Sequence, residues 1–474
     1  MIKTFLSFFL TPAICLAQLS PLTEAWKNDT KGLKNASIGY CVLDAATASV
    51  VLEYNAHLAL VPASTLKVVT TSAAMGLLGN GFRYETKLFY TGIFNKQSGV
   101  LNGDLVIAGS GDPTLQSENF VRDSSRITDK WAQTLKEKGI KEITGAIIGD
   151  GSYFDRSIPD NWVWGDIGNY FGTVPCGLSF MDNKFKLTYT TKNPGSKAEL
   201  NTIYPNYQKT PITVLSTIIA KGTEDEASVY GDPFSYYKEV KGKLPPHKTN
   251  FVLEAALPDP ALLCAEMLYT SLLKVGIVCG KSPALSNYKK ADTLVAKHVL
   301  YTYFSPSLDK ILFYTNLKSN NMYCESLLRS MGKGSAYGGI EAVKNYWQKR
   351  GLDVSELFMT DGSGLSRSNT VTTGLQAQLL CKIYRDSLNY KVFNVSLPVA
   401  GKSGSMSTIG KGTPIENNLR AKTGYINRAR GYCGYVKCKS GRDLAFSILF
   451  NNYSCSAKEA KTELEKFMVE LANL

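Results

Sequence analysis

Ser64-Thr65-Leu66-Lys67 sets a hydroxyl and an amine three residues apart, a spacing that places both on one helix face. That pair is the starting material for a serine nucleophile activated by lysine. A free lysine has a pKa near 10.4, so burial or neighbouring cations must lower it before the amine can act as a base. Ser64 opens a segment with helical spacing, Thr65 to Leu78, stopped by Gly79-Asn80-Gly81. There a developing negative charge meets the positive helix end, worth about 0.3–1 kcal/mol. The same pattern recurs at Ser286-Asn-Tyr-Lys289 and Ser307-Leu-Asp-Lys310, so alone it has little specificity. Ser307 reads as a helix cap, and Ser286 lies in a polar stretch. Other chemistries find less support. The three histidines, His57, His247 and His298, are far apart, and no Gly-x-Ser-x-Gly elbow is present. Gly401-Lys402-Ser403 matches the end of a phosphate-binding loop, but Ser396 stands where its first glycine belongs. With no Cys-x-x-Cys and sparse histidines, neither a zinc site nor another cofactor is expected.

Two companions raise the weight of Ser64. Ser319-Asn320-Asn321 falls between two helical segments, where a loop presents short polar groups to a cleft. Lys422-Thr423-Gly424 precedes the last strand pair, where Gly424 lets a substrate backbone approach. Lys402-Ser403-Gly404 and Lys439-Ser440-Gly441 are alternatives for this third motif. The former lies among glycines and serines and the latter is a hairpin turn, so Lys422 is preferred.

The ordered set Ser-x-x-Lys, Ser-x-Asn, Lys-Thr-Gly is the signature of penicillin-recognising acyl transferases. The chain resembles the class C low-molecular-mass penicillin-binding proteins, D-alanyl-D-alanine carboxypeptidases/endopeptidases. Further stretches carry the resemblance: Gly109-Ser-Gly-Asp-Pro-Thr-Leu115, Gly149-Asp150-Gly-Ser-Tyr-Phe154, Trp164-Gly-Asp-Ile-Gly-Asn-Tyr170 and Asp361-Gly-Ser-Gly-Leu365. The long interval from Ser64 to Ser319 looks like the class C insertion, which forms two further domains in that family.

The resemblance implies an α/β (α+β) penicillin-recognising serine transferase/β-lactamase-like domain, an antiparallel sheet flanked by helices, with a β-rich insertion forming one or two extra domains. It implies Ser64 as nucleophile, Lys67 as its base and Ser319 as proton relay. Asn321 would bind a substrate amide carbonyl, Lys422 would support the charge, and Thr423 would hold the terminal carboxylate. Backbone N–H groups of Ser64 and Tyr425 would form the oxyanion hole. An acidic residue of the insertion, assigned to Asp150, would bind the free amine on the stem's third residue. Tyr425 stands where the family usually has Ser or Thr; its hydroxyl lies too far out for the carboxylate, so cleavage of cross-links is expected to dominate. The partners implied are peptidoglycan stem peptides and, as covalent inhibitors, β-lactams. Two other readings are a β-lactamase or penicillin-recognising esterase, and a non-catalytic cell-wall-binding protein. No Glu-x-x-Leu-Asn is present to activate a deacylating water, and the joint presence of three motifs argues against the non-catalytic reading.

The elements that must hold these residues are legible in outline. The chain has 474 residues, 44% hydrophobic, enough for more than one core. The expected division is a leader at 1–17, one domain split into 18–80 and 290–474, and an insertion at 81–289. Ile38–Leu43 and Ser49–Tyr54 read as strands, Ser125–Lys138 as a helix, and a helical region spans Pro260–Val275, Ser307–Leu317, Met322–Met331 and Ile340–Arg350. Gly431–Lys437 and Leu444–Phe450 form a strand pair. Ala457–Leu474 is a helix with a stripe of Ala460, Leu464, Phe467, Leu471 and Leu474, read as packing on its own sheet rather than on a membrane. Met1-Ile2-Lys3, an apolar run, and Cys15 and Ala17 make a signal peptide cut after Ala17, so the protein is expected outside the cytoplasm with no transmembrane anchor. The net charge of +13 is scattered without arginine-rich blocks, which disfavours nucleic acid. Of ten cysteines nine survive loss of the leader; Cys433 and Cys438 should face opposite sides, and Cys264 and Cys279 are placed to bridge a helix to a strand.

Overall fold

The computed structural model describes residues 21–28, 32–121, 126–280, 284–289 and 298–474. The expected leader lies outside the described residues.

A five-stranded antiparallel sheet organises the molecule, in the order Val50–Tyr54, Ser37–Asp44, Asp443–Asn451, Ala429–Lys437, Arg420–Ile426. Its central strands are apolar on both sides because both faces are covered. Cys433 and Tyr435 enter the core shared with the catalytic-side helices, whereas Tyr432, Val436 and Cys438 enter the opposite core. That alternation follows the two-residue period of a strand and separates Cys433 from Cys438 as expected. The opposite core is closed by the helix Ala457–Asn473, started by a Ser456–Glu459 capping box. Ala460, Leu464, Phe467 and Leu471 are buried there, while Leu474, counted in the stripe, stays 47% exposed. Trp26 packs against Phe450 and donates its indole N–H to Glu463 at 3.1 Å.

The other face carries Lys67–Leu78, Leu308–Leu317, Asn321–Met331, Ala336–Lys349, Thr373–Arg385 and Ser387–Ser396. Thr373–Arg385 and Ser387–Ser396 were not anticipated.

Between Leu78 and Leu308 the chain builds a separate β-rich core. A mixed five-stranded sheet runs Ala284–Asn287, Ile147–Asp150, Leu105–Ala108, Glu85–Tyr90, His298–Phe304. The antiparallel pairing of Glu85–Tyr90 with His298–Phe304 closes it. The inserted strands therefore continue past Lys289, since residues 298–304 complete the insertion's sheet. Smaller sheets nest within it, among them Glu199–Tyr204, Lys184–Thr190 and Phe251–Ala256. Cys264 and Cys279, whose pairing the sequence leaves open, are both unbridged thiols; Cys264 is buried within its helix's core. No helix among the described residues is long and apolar enough to cross a membrane.

Candidate active site

Ser64 sits in a tight 3-10 turn, Ala63–Leu66, that runs directly into the helix Lys67–Leu78. The first turn is thus tighter than the α-helical start expected at Thr65. Ala63 has a φ of +47°, a left-handed conformation costing an L-residue about 1–2 kcal/mol. The surroundings hold it there. Thr65 Oγ1 donates to Pro62 O at 2.8 Å, and Gln376 Nε2 donates to Thr65 O at 3.2 Å. Ser447 Oγ on the central strand in turn donates to Gln376 Oε1 at 2.7 Å. The turn is therefore tied to both helix and sheet.

Lys67 is fully buried, and its Nζ has three oxygen neighbours: Asn321 Oδ1 at 2.6 Å, Ser363 O at 2.7 Å and Ser64 Oγ at 2.9 Å. Two of these are carbonyl oxygens and can only accept. A protonated amine donates to all three; once neutral, it keeps two N–H donors for the carbonyls and turns a lone pair to Ser64 Oγ, the neighbour whose hydroxyl can donate. Burial lowers the Lys67 pKa, opposed by the nearby Cys324, Asp361 and Glu325. Lys422, also fully buried on the edge strand, is held well below the ordinary lysine range by burial and then by the charge of Lys67. It donates to Ser319 Oγ at 2.9 Å and to Thr423 O at 2.8 Å. The structure brings all three motifs together.

The Asn321–Met331 helix supplies more than Asn321. Asn320 caps it, its side chain accepting from Tyr323 N, and Ser319 before it adopts a φ of +56°. Asn321 Nδ2 donates to Phe171 O of the insertion at 2.8 Å, Tyr323 Oη donates to Asp182 Oδ1 at 2.9 Å, and Arg329 Nε donates to Asp155 Oδ1 at 3.1 Å. The insertion thus grips this helix along its length.

Glu325, four residues after Asn321, was missed by the sequence reading. Its Oε1 accepts from Gly362 N at 2.9 Å and Ser363 N at 2.8 Å, orienting the loop whose Ser363 carbonyl meets Lys67. Burial, then the charge of Asp361, pushes Glu325 up to about 7. Asp361 braces the same loop, accepting from Gly364 N, Ser366 N, Asn369 Nδ2 and Trp162 Nε1 at 2.7–2.9 Å. Gly364, at φ +81°, packs so closely that a Cβ would lie 1.9 Å from Ala63 O. Gly364→Ala is therefore expected to displace the Ser64 turn, slowing acylation by a penicillin at least tenfold and lowering Tm; labelling kinetics and thermal unfolding check it. Gly424 has the same role from the edge strand, where a Cβ would lie 2.5 Å from Pro62 O.

A cleft of about 670 Å³ opens above this centre, with Ser64, Ser319, Asn321 and Tyr425 on one side and Asp166, Tyr170, Phe171 and Asp182 of the insertion on the other. Thr423 Oγ1 donates to Ser405 Oγ at 2.8 Å, a second hydroxyl beside the motif that the sequence did not suggest. Tyr425 is 54% exposed, its ring under the Arg430 guanidinium.

Asp150 is not at the cleft. It is 5% exposed at the end of an inserted strand, where its carboxylate accepts from Ser152 N at 3.0 Å and Asn287 Nδ2 at 3.3 Å. Both bonds end on Oδ1, one from the turn that follows and one from the neighbouring strand, and the residue lies away from the cleft lining. The insertion presents three acidic residues to the cleft: Glu118 is paired with Lys184 and Lys186, Asp182 is buried and accepts from Tyr323, and Asp166 accepts from Arg367 NH1 at 3.1 Å. It lies in Trp164–Tyr170, a stretch noted in the sequence but given no role. The alternative serines are committed elsewhere: Ser286 donates to Asp259 Oδ2, Ser307 to Asp309 Oδ1, and Ser403 Oγ accepts from Val399 N.

A serine on a strained turn, a desolvated lysine beside it and a second lysine–serine pair across the cleft define a serine acyl-transfer enzyme of the penicillin-recognising fold, enlarged by an insertion. The family model for the D-Ala-D-Ala carboxypeptidase 3 (S13) family matches residues 22–474, and the chain belongs to that family of serine peptidases. It is 27% identical to D-alanyl-D-alanine carboxypeptidase DacB of Haemophilus influenzae, covering 96% of this chain and 92% of that one. It is also 27% identical to D-alanyl-D-alanine carboxypeptidase of an Actinomadura species, covering 94% and 84%. The crystal structure of penicillin binding protein 4 from Haemophilus influenzae superposes with a TM-score of 0.80 at 25% identity, covering 96% of this chain and 100% of that one.

Proposed function

We propose that the protein acts outside the cytoplasm on peptidoglycan, hydrolysing the bond after the penultimate D-alanine in stem peptides and cross-links through an acyl-enzyme on Ser64. The observation that carries this reading is the fully buried Lys67 amine 2.9 Å from the Ser64 hydroxyl, where burial favours the neutral form. Lys67 takes the Ser64 proton as Oγ attacks the carbonyl, and Ser319, bonded to Lys422, passes a proton to the leaving amine. Backbone N–H groups of Ser64 and Tyr425 receive the oxyanion, each donor worth about 2.7–4 kcal/mol. Water then releases the acyl group. Thr423 and Ser405 together offer hydroxyls for a carboxylate, which supplies what the tyrosine at 425 cannot. β-Lactams acylate the same serine. Digestion of monomeric and cross-linked muropeptides, read by mass, tests the reading: loss of terminal D-alanine and conversion of dimers to monomers are expected. No product, or cleavage at another bond, would reject it.

Asp166 replaces Asp150 as the proposed partner of the free amine on the stem's third residue. A charge-assisted contact is worth about 1.5–3 kcal/mol. Asp166→Ala should therefore lower kcat/KM at least tenfold for an amine-bearing peptide and leave simple acyl-D-alanyl-D-alanine unchanged. Asp150→Ala should change neither ratio. Equal losses on both substrates in Asp166→Ala would remove the assignment.

A further inference from the structure

A second groove of about 790 Å³ adjoins the cleft, and Asn119 lines both. Its walls come from the last inserted strand and from two helices of the other lobe. Phe304, 54% exposed, Phe313 and Tyr314 supply aromatic surface, and Arg83, Lys310 and Lys391 supply exposed cations. Phe120 packs edge-on against Tyr314 with ring centres 4.9 Å apart, and Phe313 does so at 5.3 Å, so the aromatic wall is braced from behind. Asp309 is the acidic residue on this surface, and it accepts from Ser307. None of the three cations enters an ion pair among the described residues; Arg83 donates to the Ser305 carbonyl at 2.7 Å. The cleft's mechanism uses none of these groups.

We propose that this groove binds the glycan strand of peptidoglycan, an amino-sugar polymer whose lactyl carboxyls are amide-linked where they carry a stem peptide and free where the stem has been removed. The inference rests on the proposed substrate class. A stem peptide seated in the cleft is tethered to that polymer, so the sugars must leave along an adjoining surface, and Asn119 makes this groove continuous with the cleft. Pyranose rings present C–H faces that pack on aromatic rings, and the free lactyl carboxylates of stem-less sugars along the strand pair with cations that lack a protein counter-charge.

Peptide-free glycan strands released by an amidase contain no bond that the proposed activity cuts, so their binding can be measured on the active enzyme. Phe304→Ala, and separately Lys310→Ala with Lys391→Ala, should each weaken glycan binding in calorimetric titration at least fivefold. The lysine pair should also flatten its salt dependence. The KM for a sugar-free cross-linked peptide and the rate of acylation by penicillin should stay unchanged. Unaltered glycan affinity would overturn the proposal. So would a loss confined to the sugar-free peptide, which would make the groove a peptide site, or a parallel fall in acylation, which would make these residues structural. Glycan binding that persists without any muropeptide cleavage would reject the hydrolytic reading and leave the groove standing.

Discussion

A fluorescent penicillin is expected to label the protein at Ser64, and Ser64→Ala is expected to abolish labelling altogether. The expectation follows from position. Among the Ser-x-x-Lys matches, Ser64 has its lysine amine 2.9 Å away in a buried, desolvated setting, whereas Ser286 and Ser307 donate to carboxylates. A hydroxyl already donating to a fixed carboxylate has no base able to carry its proton away through a reaction. Peptide mapping of the adduct decides the matter: attachment at Ser286, Ser307 or Ser403 would sink the assignment, as would undiminished labelling of Ser64→Ala.

Lys67→Met should retain the nucleophile but slow acylation by roughly 10²–10⁴-fold, the usual range for losing a positioned general base. The pH profile carries the sharper test. Acylation needs the neutral amine, so its rate rises with pH through the Lys67 pKa. Burial lowers that pKa, so the rise comes at lower pH than a free lysine with a pKa near 10.4 would give. The variant should lose this acid limb. A variant that keeps both rate and limb would transfer the base role elsewhere. Circular dichroism and Tm accompany the measurement, because methionine leaves Asn321 Oδ1 and Ser363 O without their shared donor.

The three motifs were legible because each concentrates its chemistry within a few residues. Terminal elements were legible for the same local reason: Ser456 and Glu459 announce the last helix, and its apolar spacing shows which side is buried. Glu325 and Gln376 were not, because a buried polar residue inside an amphipathic helix looks like any solvent-facing one until the partner backbone is in place. Asp150 failed on a related point. A strand-end carboxylate suggests a group projecting into a cleft, but Oδ1 of this one accepts from Ser152 N of the following turn and from Asn287 Nδ2 of the neighbouring strand. The helix at Thr373–Arg385 escaped notice because Thr372, its cap, follows a run of turn-forming residues that hides the onset of the period. The pairing of His298–Phe304 with Glu85–Tyr90 is not legible locally, because the partners lie more than two hundred residues apart in sequence.

The central strand pair joins opposite ends of the chain, with Ser37 opposite Asn451 and Asp44 opposite Leu444. Closing so long a loop is thermodynamically mild, since each doubling of length adds only about 0.6 kcal/mol, but contacts so distant in sequence form late. The insertion is closed by strands about half as far apart in sequence, Glu85–Tyr90 with His298–Phe304. Until Asp443–Asn451 docks, Ser37–Asp44 and Ala429–Lys437 have no strand between them, and Lys422 has no fixed relation to Ser64. Synthesis therefore delivers the nucleophile, both lysines and the whole insertion before any of them can work. A chain cut before Asp443 is therefore expected to lack hydrolytic activity altogether, which an activity assay on that truncation checks.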